Sequence, residues 1–440
     1  MISTTKLLLT SPAPKLRVPA TFFSRSRSRR LSPCSEVDNQ YNLRIMATER
    51  HDFEVLRETG LRTAARVVIK LGTSVVIDEA DSSHGRLKSH VRSIASLREA
   101  GRQVVLVSSG AVGLGRVKLG LSPSRLRDLV TRQACAAVGQ SLLMHAYEEL
   151  FSAYDLKIAQ VLLTEDDFRD RRRYSTLRRA IEKLLKLGVI PIVNENDTVS
   201  TTELEYLDSG GTPIFSDNDR LAALIMSKLE ADALILLTNV DGLFLNNPLD
   251  ESSIRHSEEK TAVPVVTEIT PELRAFANGP TINGRGGMVT KLEAAEIAMR
   301  AGGLAVIANG TRLGILDRIF DGEPIGTTFV AGPRIGGKRR WIKYAAGVRG
   351  RLIVNAGARE AIIHGKASLL SSGIVQVEEQ FKALDVVGIA DLEGREFARG
   401  IANYPSQEAK AFISASSSAH DCERAKARVL VRRDNIVLLE

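Results

Sequence analysis

The chain has 440 residues, enough for two or three domains, and its 44% hydrophobic and 25% charged residues are typical of globular proteins. Its formal net charge of +8 is uneven: residues 1–35 hold seven basic and no acidic side chains, and removing these seven charges leaves about +1 for the rest. The nearly neutral body excludes binding of nucleic acid through overall charge, and no run approaches the ~18 apolar residues that a membrane span needs.

The first 45 residues form a segment of their own. Residues 1–35 are rich in Ser and Thr and include the arginine-rich run 25–30. This composition is typical of an organelle transit peptide, and the apolar run 7–9 is too short for the core of a secretory signal. We expect residues 1–45 to direct import into a plastid or mitochondrion. The alternative is a disordered basic tail on a cytoplasmic protein, with translation starting at Met46.

The three cysteines, Cys34, Cys135 and Cys422, are too widely spaced for a disulfide framework or a Cys-x-x-Cys metal site. Cys135 lies in a run that is typical of a helix face. We therefore expect a buried structural thiol at this position rather than a nucleophile.

From residue 67 onward, short β-branched runs alternate with helical patterns. The pattern predicts strands at residues 67–69, 104–107, 158–163, 189–193, 233–237 and 304–308, with helices between them, among them 176–187 and 220–228. Such alternation predicts an α/β fold with a mainly parallel sheet and helices on both faces. Ligands of these sheets bind beyond the carboxyl ends of the strands, so the loops at those ends are the candidate site.

The pattern changes after about residue 326. Short strands separated by turns are predicted at residues 326–330, 351–354, 374–377, 386–389 and 429–431. They indicate a small β-rich domain, joined to the first through the glycine-rich residues 332–337.

Three loops are suited to bind phosphate. Lys70 leaves the first strand and is followed by glycine and two hydroxyl residues, and Ser108-Ser109-Gly110 leave the second strand and open a helix. The third loop is the glycine-rich turn 284–287, which opens a helix that carries Lys291. Glycines let the backbone approach a phosphate, and the first N–H groups of a helix point at it. Each loop alone could also be an ordinary strand exit or a tight connection.

The end of the fourth strand and the start of the helix 220–228 carry a different set of groups. Residues 194–197, Asn-Glu-Asn-Asp, could hold an ammonium group or form turns, and Asp217 and Asn218 are both candidates for a helix cap. Residues 197–215 are polar and glycine-rich and predict a long, mobile loop. Lysines and anion-binding turns beside acidic and amide groups predict phosphoryl transfer from a nucleotide to a small cationic or zwitterionic co-substrate. Residues 332–338 match most of a Walker A motif, but Arg339 replaces its Ser or Thr.

Five motifs, taken in this order, resemble those of the amino acid kinase family, and most closely its glutamate 5-kinase branch. They are KLGTS from Lys70, SSGA from Ser108, NEND from Asn194, DND from Asp217, and GGMVTK from Gly286 to Lys291. The resemblance covers roughly residues 67–431. Residues 338–342, 350–357 and 392–395 resemble a PUA domain. The resemblance thus implies a three-layer α-β-α amino acid kinase domain over residues 64–330 and a small β-rich, PUA-like barrel over residues 336–440.

The resemblance also implies an activity: ATP-dependent phosphorylation of the side-chain carboxylate of L-glutamate, the first step of proline biosynthesis from glutamate. It implies that Ser109, Asp197 and Asn218 bind glutamate and that Lys70, Lys291 and Asp219 are catalytic, Asp219 orienting the two lysines. The implied ATP-binding residues are Lys70, Thr238, Asn239, Arg285, Gly286, Gly287, Met288, Val289, Thr290 and Lys291. It implies that Mg²⁺ binds the phosphates of ATP and that no side chain serves as a dedicated metal ligand. The loop after Asp197 is longer than in bacterial members, and Asn239 and Arg285 depart from their pattern.

The residues support this chemistry. A carboxylate nucleophile with a pKa of about 4.3 is already ionised at neutral pH, so the reaction needs positioning and neutralisation of charge rather than a general base. We also expect a homo-oligomer, feedback inhibition by proline and no membrane partner. Acetylglutamate kinase, aspartokinase and uridylate kinase are alternatives within the family. RNA binding by the PUA-like domain, through residues 338–341, is an alternative of another class, which the neutral body disfavours.

Overall fold

The computed structural model describes residues 55, 57–77, 85–200, 217–244, 262–277, 287–365, 367–417 and 428–439. The predicted transit peptide, most of the predicted mobile loop, and Arg285 and Gly286 lie outside these residues.

The first domain is built on an eight-stranded sheet with the order β3-β4-β2-β1-β5-β7-β8-β6. Its strands are β1 Arg66–Leu71, β2 Gln103–Ser108, β3 Ile158–Leu163, β4 Ile190–Glu195, β5 Ala233–Thr238, β6 Val265–Val266, β7 Leu304–Asn309 and β8 Thr327–Phe329. All neighbouring pairs are parallel except β7 and β8. The segment 326–330, which the strand pattern had grouped with the β-rich part, forms the antiparallel β8 of this sheet and lies within the range 64–330 that the family resemblance implies for the first domain.

Helices cover both faces of this sheet. They are α1 Thr73–Val76, α2 Gly85–Glu99, α3 Ala111–Lys118, α4 Leu129–Ser152, α5 Asp166–Arg169, α6 Arg171–Lys186, α7 Asn218–Leu229, α8 Pro271–Ala277, α9 Met288–Arg300 and α10 Ile315–Phe320. Successive residues of a strand point to opposite faces. Val68 of β1 accordingly packs with α6, α7 and α9 in one core, whereas Val67 and Ile69 pack with α2, α4 and α10 in another. The predicted three-layer arrangement is confirmed.

The second domain is a six-stranded, largely antiparallel sheet with its own core and the order β10-β14-β13-β12-β9-β11. Its elements are α11 Gly337–Arg340, β9 Val348–Val354, α12 Ala356–Ile363, β10 Leu369–Leu370, β11 Ile374–Glu378, β12 Val386–Ala390, β13 Glu396–Ala402, α13 Ser406–Ser417 and β14 Val429–Leu438. The predicted β-rich domain is confirmed, although the pattern did not reveal β10 and β13.

The two domains are joined by buried polar contacts as well as apolar ones. Arg340 donates from Nε to Ser227 Oγ (3.1 Å) and from Nη2 to the Ser227 carbonyl (2.9 Å), and Trp341 Nε1 donates to the Phe168 carbonyl (3.1 Å). Both side chains are buried. The hypothesis that residues 338–341 present a surface to RNA is thus wrong for Arg340 and Trp341, which hold the domains together.

Two further expectations concern single features. Cys135 is a buried free cysteine on α4, as predicted for a structural thiol. No helix within the described residues is both long enough and apolar enough to span a bilayer.

Candidate active site

Two lysines from distant parts of the chain meet on one aspartate. Lys70 lies near the end of β1, Asp219 in the first turn of α7 and Lys291 in the first turn of α9. Lys70 Nζ lies 2.7 Å from Asp219 Oδ1, and Lys291 Nζ donates to Asp219 Oδ2 at 3.0 Å. All three side chains are buried, and only 1% of Asp219 is exposed. The structure therefore brings together the three residues predicted to be catalytic.

The charges of this triad hold Asp219 ionised. Burial by itself would raise the pKa of Asp219, but the two lysines and their hydrogen bonds outweigh it and hold the pKa below its usual value. A buried carboxylate that binds two ammonium groups fixes both in position, and together the three groups carry one net positive charge. The arrangement can attract a phosphate and still aim both cations.

Asn218, which precedes Asp219, joins the ends of two strands. Its Nδ2 donates to Ser109 Oγ and to Asn194 Oδ1, both at 2.9 Å. Its Oδ1 is buried and accepts no hydrogen bond from any described residue. A buried acceptor without a donor costs free energy, so this oxygen is suited to a ligand that brings an N–H group.

The helix cap of α7 is Asp217 rather than Asn218. Asp217 Oδ1 accepts from the backbone N–H groups of Asp219 and Arg220, each at 3.1 Å. This satisfies the start of the helix and leaves the Asn218 side chain for Ser109 and Asn194. The sequence had left both residues as candidates for the cap.

A cluster of carboxylates lies beside Asn218. Burial, and next the charge of Asp197, raises the pKa of Glu195 to about 7. Burial also raises the pKa of Asp197 to about 6, against the opposing effect of Arg132, and burial with the charge of Asp219 raises that of Asp217. Their negative charges are poorly compensated within the protein, and a bound cation would stabilise all of them.

The residues predicted to bind ATP border the triad on the other side. Thr238 is the buried last residue of β5, followed by the exposed Asn239, and Gly72 N–H donates to the Leu237 carbonyl at 3.1 Å, which holds the loop after Lys70 against β5. Gly287 is the N-cap residue of α9 and provides no side-chain cap. The first N–H groups of Met288, Val289 and Thr290 therefore have no side-chain oxygen to bind, as an anion site requires.

The sequence reasoning missed Glu165, which follows β3. Glu165 is buried, accepts from Arg169 at 2.9 Å and is one of the charges that raise the pKa of Glu195. It could have been found by the rule used for the other strands, because the loop after residue 163 is also at the carboxyl edge. Gln140 of α4, whose Oε1 accepts from Asn194 at 3.0 Å, gave no signal in the sequence.

The profile of the amino acid kinase family matches residues 65–309, more than half of the chain. The chain belongs to the amino acid kinase family. A second profile, that of the PUA domain, matches residues 350–419. The predicted family resemblance and the second domain are both confirmed.

Within the family, this amino acid kinase is similar to bacterial proteins named glutamate 5-kinase. It is 45% identical to the one from Moorella thermoacetica, over 79% of this chain and 88% of the relative. It is 43% identical to the one from Myxococcus xanthus, over 80% of this chain and 89% of the relative. It is 42% identical to the one from Caldanaerobacter subterraneus subsp. tengcongensis, over 85% of this chain and 98% of the relative. The similarity thus spans both domains of this amino acid kinase.

Proposed function

We propose that this protein transfers the γ-phosphoryl group of ATP to the side-chain carboxylate of L-glutamate, the reaction of a glutamate 5-kinase. The observation that carries the proposal is the Lys70–Asp219–Lys291 triad, in a chain similar to glutamate 5-kinases over most of its length. The product, L-glutamyl 5-phosphate, is an acyl phosphate, and its formation is the first step of proline biosynthesis from glutamate.

Glutamate binds through Ser109, Asp197 and Asn218. Its ammonium group donates to the unpartnered Asn218 Oδ1 and is neutralised by Asp197, with Glu195 beside it. The Ser109 hydroxyl, already held by Asn218, is free to donate to a glutamate carboxylate. These contacts fix the amino acid by its charged ends and direct its side chain towards the triad.

The transfer itself needs no general base. One oxygen of the ionised side-chain carboxylate attacks the γ-phosphorus, the bond from phosphorus to the β,γ-bridging oxygen breaks, and ADP leaves with that electron pair. Two anions must approach each other, and Lys70 and Lys291 offset their repulsion in a buried site where charge interactions are strong. Asp219 keeps both ammonium groups aimed, so that no reorganisation is needed at the moment of reaction.

ATP lies over the carboxyl end of β5 and the start of α9. Thr238 and Asn239 contact the nucleoside, and the α9 start with Met288, Val289, Thr290 and Lys291 holds the phosphates. Gly287 permits the close approach, and by the family resemblance Arg285 and Gly286 continue this phosphate loop.

We expect Mg²⁺ to enter with ATP. Among the described residues no group of three or more His, Cys, Asp or Glu side chains could hold a metal ion. In nucleotide sites Mg²⁺ is bound mainly by phosphate oxygens and water, with few protein ligands. When bound, it would neutralise phosphate charge; Asp217, whose carboxylate interacts electrostatically with Asp219 and Lys70, is a candidate to hold it.

Two features separate glutamate from other substrates. N-acetylglutamate has no ammonium group and would leave the cluster around Asp197 uncompensated, and aspartate has a side chain one methylene shorter, which places its carboxylate differently relative to the triad. The test is product trapping: protein, ATP and Mg²⁺ are incubated with hydroxylamine and each amino acid. We expect the hydroxamate of glutamate, formed much faster than that of aspartate or N-acetylglutamate. Hydroxamate from N-acetylglutamate alone would contradict the proposal.

Two further properties, inhibition by proline and a homo-oligomeric state, are proposed from the family resemblance alone. We propose that proline inhibits by competing with glutamate, since it offers an ammonium and a carboxylate on one carbon, and that the protein is a homo-oligomer. Glutamate kinetics with added proline and light scattering in solution test the two points.

A further inference from the structure

A second cleft lies away from the triad, between the two domains. It has a volume of about 760 Å³, and its walls come from the start of α6 and the residues before it, from the segment around Trp341 and Arg349, and from the residues that lead into β12. Nothing in the proposed phosphoryl transfer uses it.

The cleft is rich in arginine. Five arginines line it: Arg169, Arg171, Arg172, Arg173 and Arg349. Arg169 is engaged, because it binds Glu165 at 2.9 Å and Asp166 at 3.6 Å and packs against Gly347, and Arg173 lies 3.6 Å from Asp167. Three of the five guanidinium groups, those of Arg171, Arg172 and Arg349, are exposed and make no ion pair with any described residue.

The carboxylates of the cleft are already occupied. Asp170 Oδ1 caps α6 by accepting from the backbone of Arg172 and Arg173, each at 2.8 Å. Asp385 Oδ2 accepts from the Lys382 backbone at 2.8 Å, and Asp166 pairs with Arg169. Asp170 and Asp385 keep their negative charges despite these hydrogen bonds, but five arginines outnumber three aspartates, so the lining as a whole carries a net positive charge.

One edge of the cleft is apolar. Leu384, just before β12, is 72% exposed and has a φ of +75°, a backbone conformation that costs free energy for a residue with a side chain. Its amide is held in place by the Ala402 carbonyl at 2.8 Å. A large exposed apolar side chain therefore belongs to the same lining as the arginines, which suits a ligand with both an anionic and an apolar part.

We propose that this interdomain cleft binds a small molecule that carries a polyphosphate group, with Arg171, Arg172 and Arg349 as its phosphate contacts. The planar guanidinium groups match phosphate oxygens in pairs. Because Arg349 belongs to the second domain and Arg171 and Arg172 to the first, one ligand binds both domains. The volume lies within the roughly 300–1,000 Å³ of small-molecule pockets.

The cleft fits a small molecule better than single-stranded RNA. Single-stranded nucleic acid is bound along grooves with aromatic platforms for successive bases. The one aromatic residue of the cleft, Trp341, is buried and donates its indole N–H to the Phe168 carbonyl, so its ring is packed rather than free to stack.

Trp341 provides the test, because it is the only tryptophan of the 440 residues. Its emission is followed while the full chain is titrated with inorganic tripolyphosphate or with GTP, at constant ionic strength. We expect a saturable change in emission for tripolyphosphate. If GTP binds more tightly than tripolyphosphate, the polyphosphate belongs to a nucleotide. If the two bind equally, the ligand is an inorganic polyphosphate.

Two double variants locate the binding. In Arg171→Ala/Arg349→Ala we expect the apparent Kd to rise by at least about ten-fold, since a charge-assisted hydrogen bond contributes about a decade of affinity or more. The control, Arg179→Ala/Arg432→Ala, removes one exposed arginine from α6 and one from β14 outside the cleft and should bind as the wild type does. Thermal unfolding checks that both variants are folded.

Three results would overturn the proposal. They are no saturable change with either probe, the same Kd in both double variants, and an emission change produced only by an RNA oligonucleotide. None of them bears on glutamate phosphorylation, which is measured separately.

Discussion

Lys70 and Lys291 bind the two oxygens of one carboxylate, that of Asp219, at 2.7 and 3.0 Å. The lysines come from a strand and a helix that are far apart in the chain, and only the parallel sheet brings them to one edge. Their ammonium groups would repel each other without Asp219. The geometry of the proposed phosphoryl transfer therefore depends on a residue that needs no contact with the substrate.

The first prediction concerns this positioning role. Asp219→Asn keeps the volume but removes the charge that aims both lysines, and we expect kcat to fall by about 100-fold or more, the scale for loss of a preorganised electrostatic contact. The KM for glutamate should change little, because Asn218 and Ser109 remain. Steady-state kinetics test this, with Asp317→Asn, a surface change on α10, as the control. A kcat within a few-fold of wild type would show that Asp219 is dispensable.

The second prediction separates binding from chemistry. Asn218→Ala removes the amide that holds Ser109 Oγ and Asn194 Oδ1 and the oxygen proposed to accept from the glutamate ammonium. We expect the KM for glutamate to rise by about ten-fold or more, on the scale of hydrogen bonds to a charged group, with the KM for ATP nearly unchanged. An equal rise in both KM values would indicate general disruption and count against the assignment.

The third prediction follows from the raised pKa values of Glu195 and Asp197, about 7 and about 6. As the pH falls from about 8 to about 6, these groups take up protons while the glutamate ammonium stays charged, so the cluster loses its attraction for it. We expect the KM for glutamate to rise several-fold over this range. In Glu195→Gln the rise should be smaller and should begin at lower pH. A KM independent of pH would exclude these carboxylates from binding.

The same pKa values predict the opposite trend for stability without ligand. A carboxyl whose pKa is raised in the folded state binds protons more tightly there than in the unfolded chain, so its contribution to stability falls as the pH rises towards the folded-state pKa. We expect Glu195→Gln to match the wild type in Tm near pH 5 and to exceed it near pH 8. Thermal unfolding at both pH values measures this; a difference that shrinks with rising pH would contradict it.

The fifth prediction concerns the packing of α3 on α4, behind the Ser109 loop. A Cβ at Gly139 would lie 1.7 Å from the Ala111 carbonyl oxygen, a backbone atom that cannot move without displacing α3. We expect Gly139→Ala to lower the free energy of unfolding by about 3 kcal/mol or more, at the upper end for overpacking. Gly336→Ala is the matched control, because its Cβ meets no atom within 4 Å. Denaturant unfolding distinguishes the two variants. Equal free energies of unfolding for both would mean that α3 and α4 can move apart at little cost and would contradict the prediction.

The sequence predicted most of the first domain because buried parallel strands and their helices are local patterns. Strands at residues 67–69 and 104–107, and the helix at 176–187, follow directly from such patterns. The positions of Lys70 at the end of a strand and of Lys291 at the start of a helix could be predicted in the same way. What could not be predicted depends on contacts distant in sequence: the pairing of β8 with β7, the Arg340–Ser227 contact between domains, and Gln140 on Asn194.

The most direct test of the central claim is the kcat for glutamyl hydroxamate formation by Lys291→Ala at saturating ATP and glutamate. Arg300→Ala, at the far end of α9, is the control. If Lys291 neutralises the transferred phosphoryl group, kcat falls by at least about 100-fold, the scale for loss of such a contact, while the KM for glutamate stays within a few-fold. A nearly normal kcat in Lys291→Ala would contradict the account.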